Sequence, residues 1–193
     1  MQETDKTPPR SHRKTKQDRL QQKKKERRRW ILTAFLLSFF ITAAISVVTG
    51  EIAEAKNVAL SLPLLVLFIL IGVLFDVIGL AVATAEASPF HSMASRRLKT
   101  GKKAVWLIQN SPRVTSFCND IIGDICGVVS GAMGSVIAAQ LFIGAGAFWL
   151  TLSLTSLIAA MTIGLKAVGK HIAMENSEKI VLAVAKVLCG FRK

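Results

Sequence analysis

The chain has 193 residues, of which 51% are hydrophobic and 19% are charged, and its formal net charge is +13 at pH 7. Its apolar residues stand in long blocks, which is typical of helical membrane proteins and argues against a soluble domain. The three cysteines are odd in number and lack metal-type spacing, so neither a disulfide framework nor a thiolate site is expected. The composition predicts an all-α, polytopic helical membrane protein.

The first 29 residues form a basic tail with twelve Lys and Arg against four acids and no apolar periodicity. We expect a disordered cytoplasmic segment here, because it is too long and too charged for the start of a signal peptide. Four apolar segments long enough to span a bilayer follow it, at residues 30–49, 60–85, 117–144 and 145–168. Residues 30–57 would supply an extra N-terminal span and an external loop, and Gly144-Ala145-Gly146 would turn the last two spans into a hairpin.

Two amphipathic stretches, at residues 89–110 and 172–191, are too short to span and predict interfacial juxtamembrane helices. Basic residues alternate with apolar ones in the first stretch, and Trp106 would lie at headgroup depth. These features predict contact with the lipid bilayer, and with anionic lipids at the tail and the juxtamembrane helices. No nucleic-acid partner is expected.

Three carboxylates lie inside the predicted spans: Asp76 in the second, and Asp120 and Asp124 at the start of the third. A carboxylate in a bilayer is costly unless it faces protein or water, so each marks a candidate functional site. On each of the two spans, the acids share a helix face with glycine and alanine residues. Two helices with such faces, here called seams, could pack closely and bring their acids together. We expect no cation inside the spans to pair them, because Lys166 would extend to the cytoplasmic interface.

Residues 58–193 resemble the transmembrane domain of the CorC/CNNM (cyclin M) family of magnesium transporters. The resemblance lies in an acid after small and hydroxyl residues at the end of a span, a basic juxtamembrane stretch, a proline-containing turn and polar residues four apart at the start of the next span. The matching stretches are Ala83-Thr84-Ala85-Glu86-Ala87, Ser95-Arg96-Arg97-Leu98, Gly101-Lys102-Lys103-Ala104, Asn110-Ser111-Pro112-Arg113 and Cys118-Asn119-Asp120-Ile121-Ile122-Gly123-Asp124.

The resemblance implies a homodimer that binds dehydrated Mg²⁺ between the two spans through hydroxyl, carbonyl, carboxamide and carboxylate oxygens. Asp stands at 120 and 124 where the family has Asn, an extra span precedes the module, and no cytoplasmic CBS pair is expected after it. The positions carried over from the family, together with Asp76 on the path above them, give the candidate metal residues. These are Asp120, Asp124, Glu86, Thr84, Asp76 and Asn119.

The residue chemistry favours the same ion, because Mg²⁺ takes hard oxygen ligands and the spans contain acids and hydroxyls but no His. Mg²⁺ would be the transported substrate, and the chain is not expected to be an enzyme. Two enzyme alternatives are weaker. An intramembrane aspartyl protease pairing Asp76 with Asp124 lacks the flanking motif residues, and a CDP-alcohol phosphotransferase would need an upstream acidic half-motif. A membrane adaptor or regulatory subunit that does not transport is the remaining alternative.

The loop charges predict an integral protein of the cell membrane with both termini in the cytoplasm, because Lys and Arg gather in the tail, in residues 96–113 and after Lys166.

Single cysteines introduced as Lys102→Cys and Glu54→Cys, in a background without the native cysteines, should label from opposite sides of the membrane. Labelling of both from one side would contradict the four-span arrangement.

Overall fold

The computed structural model describes residues 10–54, 58–142, 144 and 146–190, and every regular element in them is helical. Four stretches are long and apolar enough to cross a membrane, Arg28–Val47, Val58–Thr84, Ser111–Leu141 and Ala147–Glu175. The predicted all-α membrane fold with four spanning helices is therefore confirmed. In chain order the elements are α1 (Arg10–Glu54), α2 (Val58–Thr84), α3 (Ser88–Ser95), α4 (Lys99–Gln109), α5 (Ser111–Thr115), a π-helical segment (Ser116–Gly123), α6 (Asp124–Leu141), α7 (Ala147–Glu175) and α8 (Ser177–Gly190).

Helix α1 runs through the boundary between two compact units, residues 1–40 and 41–193. Residues 10–29, for which the sequence predicts a disordered tail, are helical here and belong to α1, and residues 1–9 lie outside the described residues. Lys, Arg, Gln and Glu are good helix formers, and a helix nucleated in the apolar stretch gains a hydrogen bond with each residue it adds. The predicted external loop is also helical up to Glu54, and residues 55–57 lie outside the description.

Helix α2 is the central element of the second unit and packs against the π-helical segment, α6 and α7. Its buried residues Leu65, Ile69, Gly72, Asp76 and Gly79 follow each other at spacings of four, three, four and three, so they share one helix face. Glycine allows close approach here, because a Cβ at Gly72 would lie 3.0 Å from the Cβ of Cys126 on α6. The small-residue stripe of α2 is therefore its packing surface.

The third span begins as the short helix α5, continues as the π-helical segment and becomes regular at Asp124. The amide of Asp124 reaches back to the carbonyl of Asn119, five residues earlier, which is the wider ring of a π-helix. The extra residue in that ring rotates the side chains before it relative to those after it. The exposed residues Phe117, Asp120, Asp124 and Val128 nevertheless keep a spacing of three or four residues across the segment.

The hairpin predicted at residues 144–146 is confirmed, since α6 ends at Leu141 and α7 begins at Ala147. Gly144 and Gly146 have φ angles of +111° and +94°, a backbone conformation that L side chains rarely adopt. Residues 143 and 145 lie outside the described part of the chain.

Helices α3, α4 and α8 form a layer, here called the helical cap, at the end of α2 and α7. Its centre is the fully buried ring of Phe90, packed with Val82 of α2 and Val181 of α8. Burial of an aromatic side chain of this size contributes about 2 kcal/mol. The two predicted juxtamembrane stretches lie in this layer, although α7 extends to Glu175 before α8 begins.

A substitution at Gly169 should test the packing of α7 on α2. A Cβ at this position would lie 2.9 Å from Val77 Cγ2 and 3.1 Å from Val73 Cγ1, whereas nothing lies within 4 Å of one at Gly164 on the same helix. Gly169→Leu should lower the free energy of unfolding by about 1–3 kcal/mol through overpacking, and Gly164→Leu should leave it unchanged or raise it. Thermal unfolding in detergent measures both, and equal stabilities would contradict this contact.

Candidate functional site: a buried ion pair between the spans

The site is centred on Asp76, which is 4% exposed on the packing face of α2. Its carboxylate lies against Gly123, the last residue of the π-helical segment, where any Cβ would collide with Asp76 Oδ1. The absence of a side chain at Gly123 therefore makes room for a carboxylate between two helices. Asp76 lies about 12 Å along α2 from its end at Thr84, well inside a stretch long enough to cross a bilayer.

The partner of Asp76 is Lys166 of α7. Its ammonium nitrogen lies 3.1 Å from Asp76 Oδ2, and the side chains of Lys166 and Asp76 are 21% and 6% exposed. The same ammonium donates a hydrogen bond to the backbone carbonyl of Gly123, 3.2 Å away. One lysine therefore joins α2, the π-helical segment and α7.

This pair corrects the expectation that Lys166 extends to the interface and that no cation in the spans pairs the acids. Charge pairing in a low-dielectric interior offsets the desolvation of both groups, whereas removing one partner leaves a buried charge and costs about 3–5 kcal/mol. Lys166 lies about 14 Å from the end of α7, so its depth along that helix is close to that of Asp76 along α2.

Asn119 lies in the same seam as Asp76, one turn nearer the helical cap. Its side-chain amide occupies the space beside Gly79, and its Oδ1 atom is buried without a hydrogen-bond partner in the described residues. The hydroxyl of Thr115 donates to the carbonyl of Gly79 at 3.0 Å and fastens α5 to α2. A buried amide oxygen without a donor is costly, so this atom marks a place where a donor or cation would be stabilised.

The remaining predicted site residues do not converge on Asp76. Asp120, Asp124, Thr84 and Glu86 are all exposed, and the hydroxyl of Thr84 donates to the carbonyl of Leu80 in its own helix, at 2.9 Å. The expectation that the acids of the two seams meet is corrected, because both aspartates lie on an exposed stripe of the third span, whereas Asp76 contacts the buried Gly123. Across the residues described, no three or more His, Cys, Asp or Glu side chains are grouped to hold a metal ion.

Beside Lys166, a cleft of about 260 Å³ opens between α6 and α7. Gly127 and Gly131 form part of its wall, and a Cβ at Gly127 would lie 3.9 Å from the Lys166 ammonium, with no other described residue within 4 Å. Thr162 and Ser130 place hydroxyl groups along the cleft. The glycines of this stretch therefore leave open space next to the ion pair, in addition to allowing helices to approach.

Lys166 was missed as a site residue, although the sequence holds a signal for it. Thr162, Lys166, Gly169 and Ala173 are spaced by four, three and four, so the lysine shares a helix face with small and hydroxyl residues, like Asp76 on α2. The π-helical segment has no such signature, because nothing in residues 116–123 distinguishes it from an α-helical start.

Comparisons with protein-family models, with curated proteins and with solved structures found no match to the chain. The resemblance to the CorC/CNNM family therefore stays a hypothesis that rests on the motif residues.

Proposed function

We propose that the chain binds a hard cation at Asp76 and carries it across the membrane, with Mg²⁺ as the first candidate. One observation carries the proposal: a carboxylate oxygen of Asp76 and the carbonyl oxygen of Gly123 already converge on a cation, the ammonium of Lys166. Oxygens of these two kinds are the ligands that Mg²⁺ takes in proteins. A diffusible cation would occupy the position by displacing the ammonium.

The oxygen chemistry of the seam supports this choice. Asn119 Oδ1 adds a buried oxygen that accepts no hydrogen bond from the described residues. Mg²⁺ usually retains waters beside one or two carboxylates, so few protein ligands are needed. Cys118 and Cys126 are buried and free in the same seam. Both atoms that converge on the Lys166 ammonium are oxygens, so a hard cation fits this position better than zinc or copper.

Lys166 acts in this proposal as a tethered competitor. It keeps Asp76 neutralised when no ion is bound, and the ion must exchange with it at each binding event. The resulting affinity is lower than that of a free carboxylate site, which suits a carrier that has to release its ion on the other side.

A second copy of the chain would cover Asp120 and Asp124. Both are exposed close to Gly123, the residue that contacts Asp76, and a carboxylate facing hydrocarbon is costly. We infer a homodimer in which these acids meet protein or a water-filled path, and an orientation with both termini in the cytoplasm, from the distribution of Lys and Arg.

A membrane adaptor that does not transport is the second candidate. The direct contact of Lys166 with Asp76 favours this candidate, because an ion pair of this kind can hold two helices together without binding a diffusible ion.

The exchange model predicts opposite effects for the two partners. Lys166→Gln should destabilise the metal-free protein by about 3–5 kcal/mol, because Asp76 is left buried and unpaired, and Mg²⁺ should restore that stability. The Mg²⁺-induced rise in melting temperature should therefore exceed that of the parent, whereas Asp76→Asn should abolish the response. Thermal unfolding of purified protein over a Mg²⁺ series, with K⁺ at matched ionic strength, measures this.

Lys170→Gln provides the matched control, because Lys170 is exposed on α7 one turn beyond Lys166. It should keep the parental Mg²⁺ response. An identical response in Lys166→Gln and Asp76→Asn would exclude binding at Asp76, and the packing role would then explain the pair.

Flux in proteoliposomes distinguishes the two candidate functions. The parent should carry Mg²⁺, and Asp76→Asn should reduce the rate at least tenfold, which corresponds to about 1.4 kcal/mol or more of lost binding or barrier stabilisation. Asp124→Asn keeps an oxygen ligand and should change rate or selectivity less than Asp124→Ala does. Folded parent protein without Mg²⁺ flux would favour the adaptor.

A further inference from the structure

The outer face of α4 carries a hollow that the cation site does not use. Its volume is about 460 Å³, and it is lined by Lys99, Lys102, Lys103 and Trp106 of α4 and by Cys189 of α8. Trp106 is 53% exposed, which is unusual for the largest apolar side chain of a helix that otherwise packs into the helical cap. Three ammonium groups and an indole therefore share one surface.

This arrangement is held by the opposite face of α4. Gly101, Ala104 and Leu107 are buried in the helical cap, and a Cβ at Gly101 would lie 2.7 Å from the backbone nitrogen of Ala94 on α3. Close packing at Gly101 fixes the rotation of α4 about its axis, so the lysines project from the outer side as a set.

The hollow is positively charged, and among the described residues no Asp or Glu lines it. The ion pairs in the same part of the chain involve other side chains. The Lys103 ammonium lies 5.9 Å from the centroid of the Trp106 ring, a cation–π distance that orients the lysine along the rim. A neighbouring hollow of about 420 Å³ has Glu178 among its lysines Lys179 and Lys186, so its charge is partly balanced.

We propose that the α4 hollow binds the phosphate headgroup of an anionic membrane phospholipid. Its charge complements a phosphate, and exposed Trp beside Lys is typical of helices at headgroup depth. The helical cap follows the spans directly, because α3 begins at Ser88, four residues after α2 ends at Thr84. The bound lipid fastens α4 and, through the cap, the end of α2 to the membrane surface.

The test compares two pairs of substitutions in the purified full chain: Lys102→Gln with Lys103→Gln in the α4 hollow, and Lys179→Gln with Lys186→Gln in the neighbouring one. Thermal unfolding is followed in neutral detergent with added phosphatidylglycerol, phosphatidylcholine or inorganic phosphate. Phosphatidylglycerol should stabilise the parent and the Lys179/Lys186 variant. The Lys102/Lys103 variant should need about 30-fold more phosphatidylglycerol for the same shift, since each lysine contributes about fivefold to binding an anionic surface.

Each alternative result overturns the assignment. A parental response in the Lys102/Lys103 variant places the lipid elsewhere, and an equal loss in both variants shows attraction by surface charge without a specific site. Stabilisation by inorganic phosphate equal to that by phosphatidylglycerol identifies a free anion as the ligand. Unfolding without added lipid checks that the Lys102/Lys103 variant folds like the parent.

Discussion

The contact of the Lys166 ammonium with the Asp76 carboxylate and the Gly123 carbonyl is the constraint on which the bundle depends. Two charges can remain in an apolar layer only when they meet, so α2 and α7 must hold a definite rotation and depth relative to each other. The carbonyl adds a third element to the same point. Glycine at 123 is the condition for this, because a larger residue would exclude the carboxylate.

The second unit combines two kinds of packing. Between the spans, close contact depends on small residues such as Gly72 and Gly169, where the side chains of the facing helix pack directly onto the glycine backbone. In the helical cap, large apolar side chains such as Phe90 and Val181 form a core like that of a soluble protein. Helices α2 and α7 take part in both, since the stretch that carries the ion pair continues into the cap.

Hydropathy and glycine spacing were sufficient to predict the four spans and the turn at Gly144 and Gly146, because both depend on local sequence. The prediction that small residues on α2 face a neighbouring helix also holds for Gly72, Asp76 and Gly79. The exposure of Asp120 and Asp124 could not be predicted, because their spacing places them on one helix face but does not say which face of the third span meets α2. The spacing on α7 places Lys166 on a face with small residues, but its pairing with Asp76 also depends on where α7 crosses α2, which periodicity within one helix does not encode.

The cleft between α6 and α7 bears on how the ion pair between Lys166 and Asp76 can open. The cleft lies at the end of the long unbranched Lys166 side chain, and Gly127 and Gly131 form its wall beside the ammonium. Lys166 can thus change rotamer into free volume while the backbones of α6 and α7 stay in place. Opening of the ion pair costs the electrostatic work of separating two charges, and the cleft provides space into which the ammonium can move by side-chain rotation.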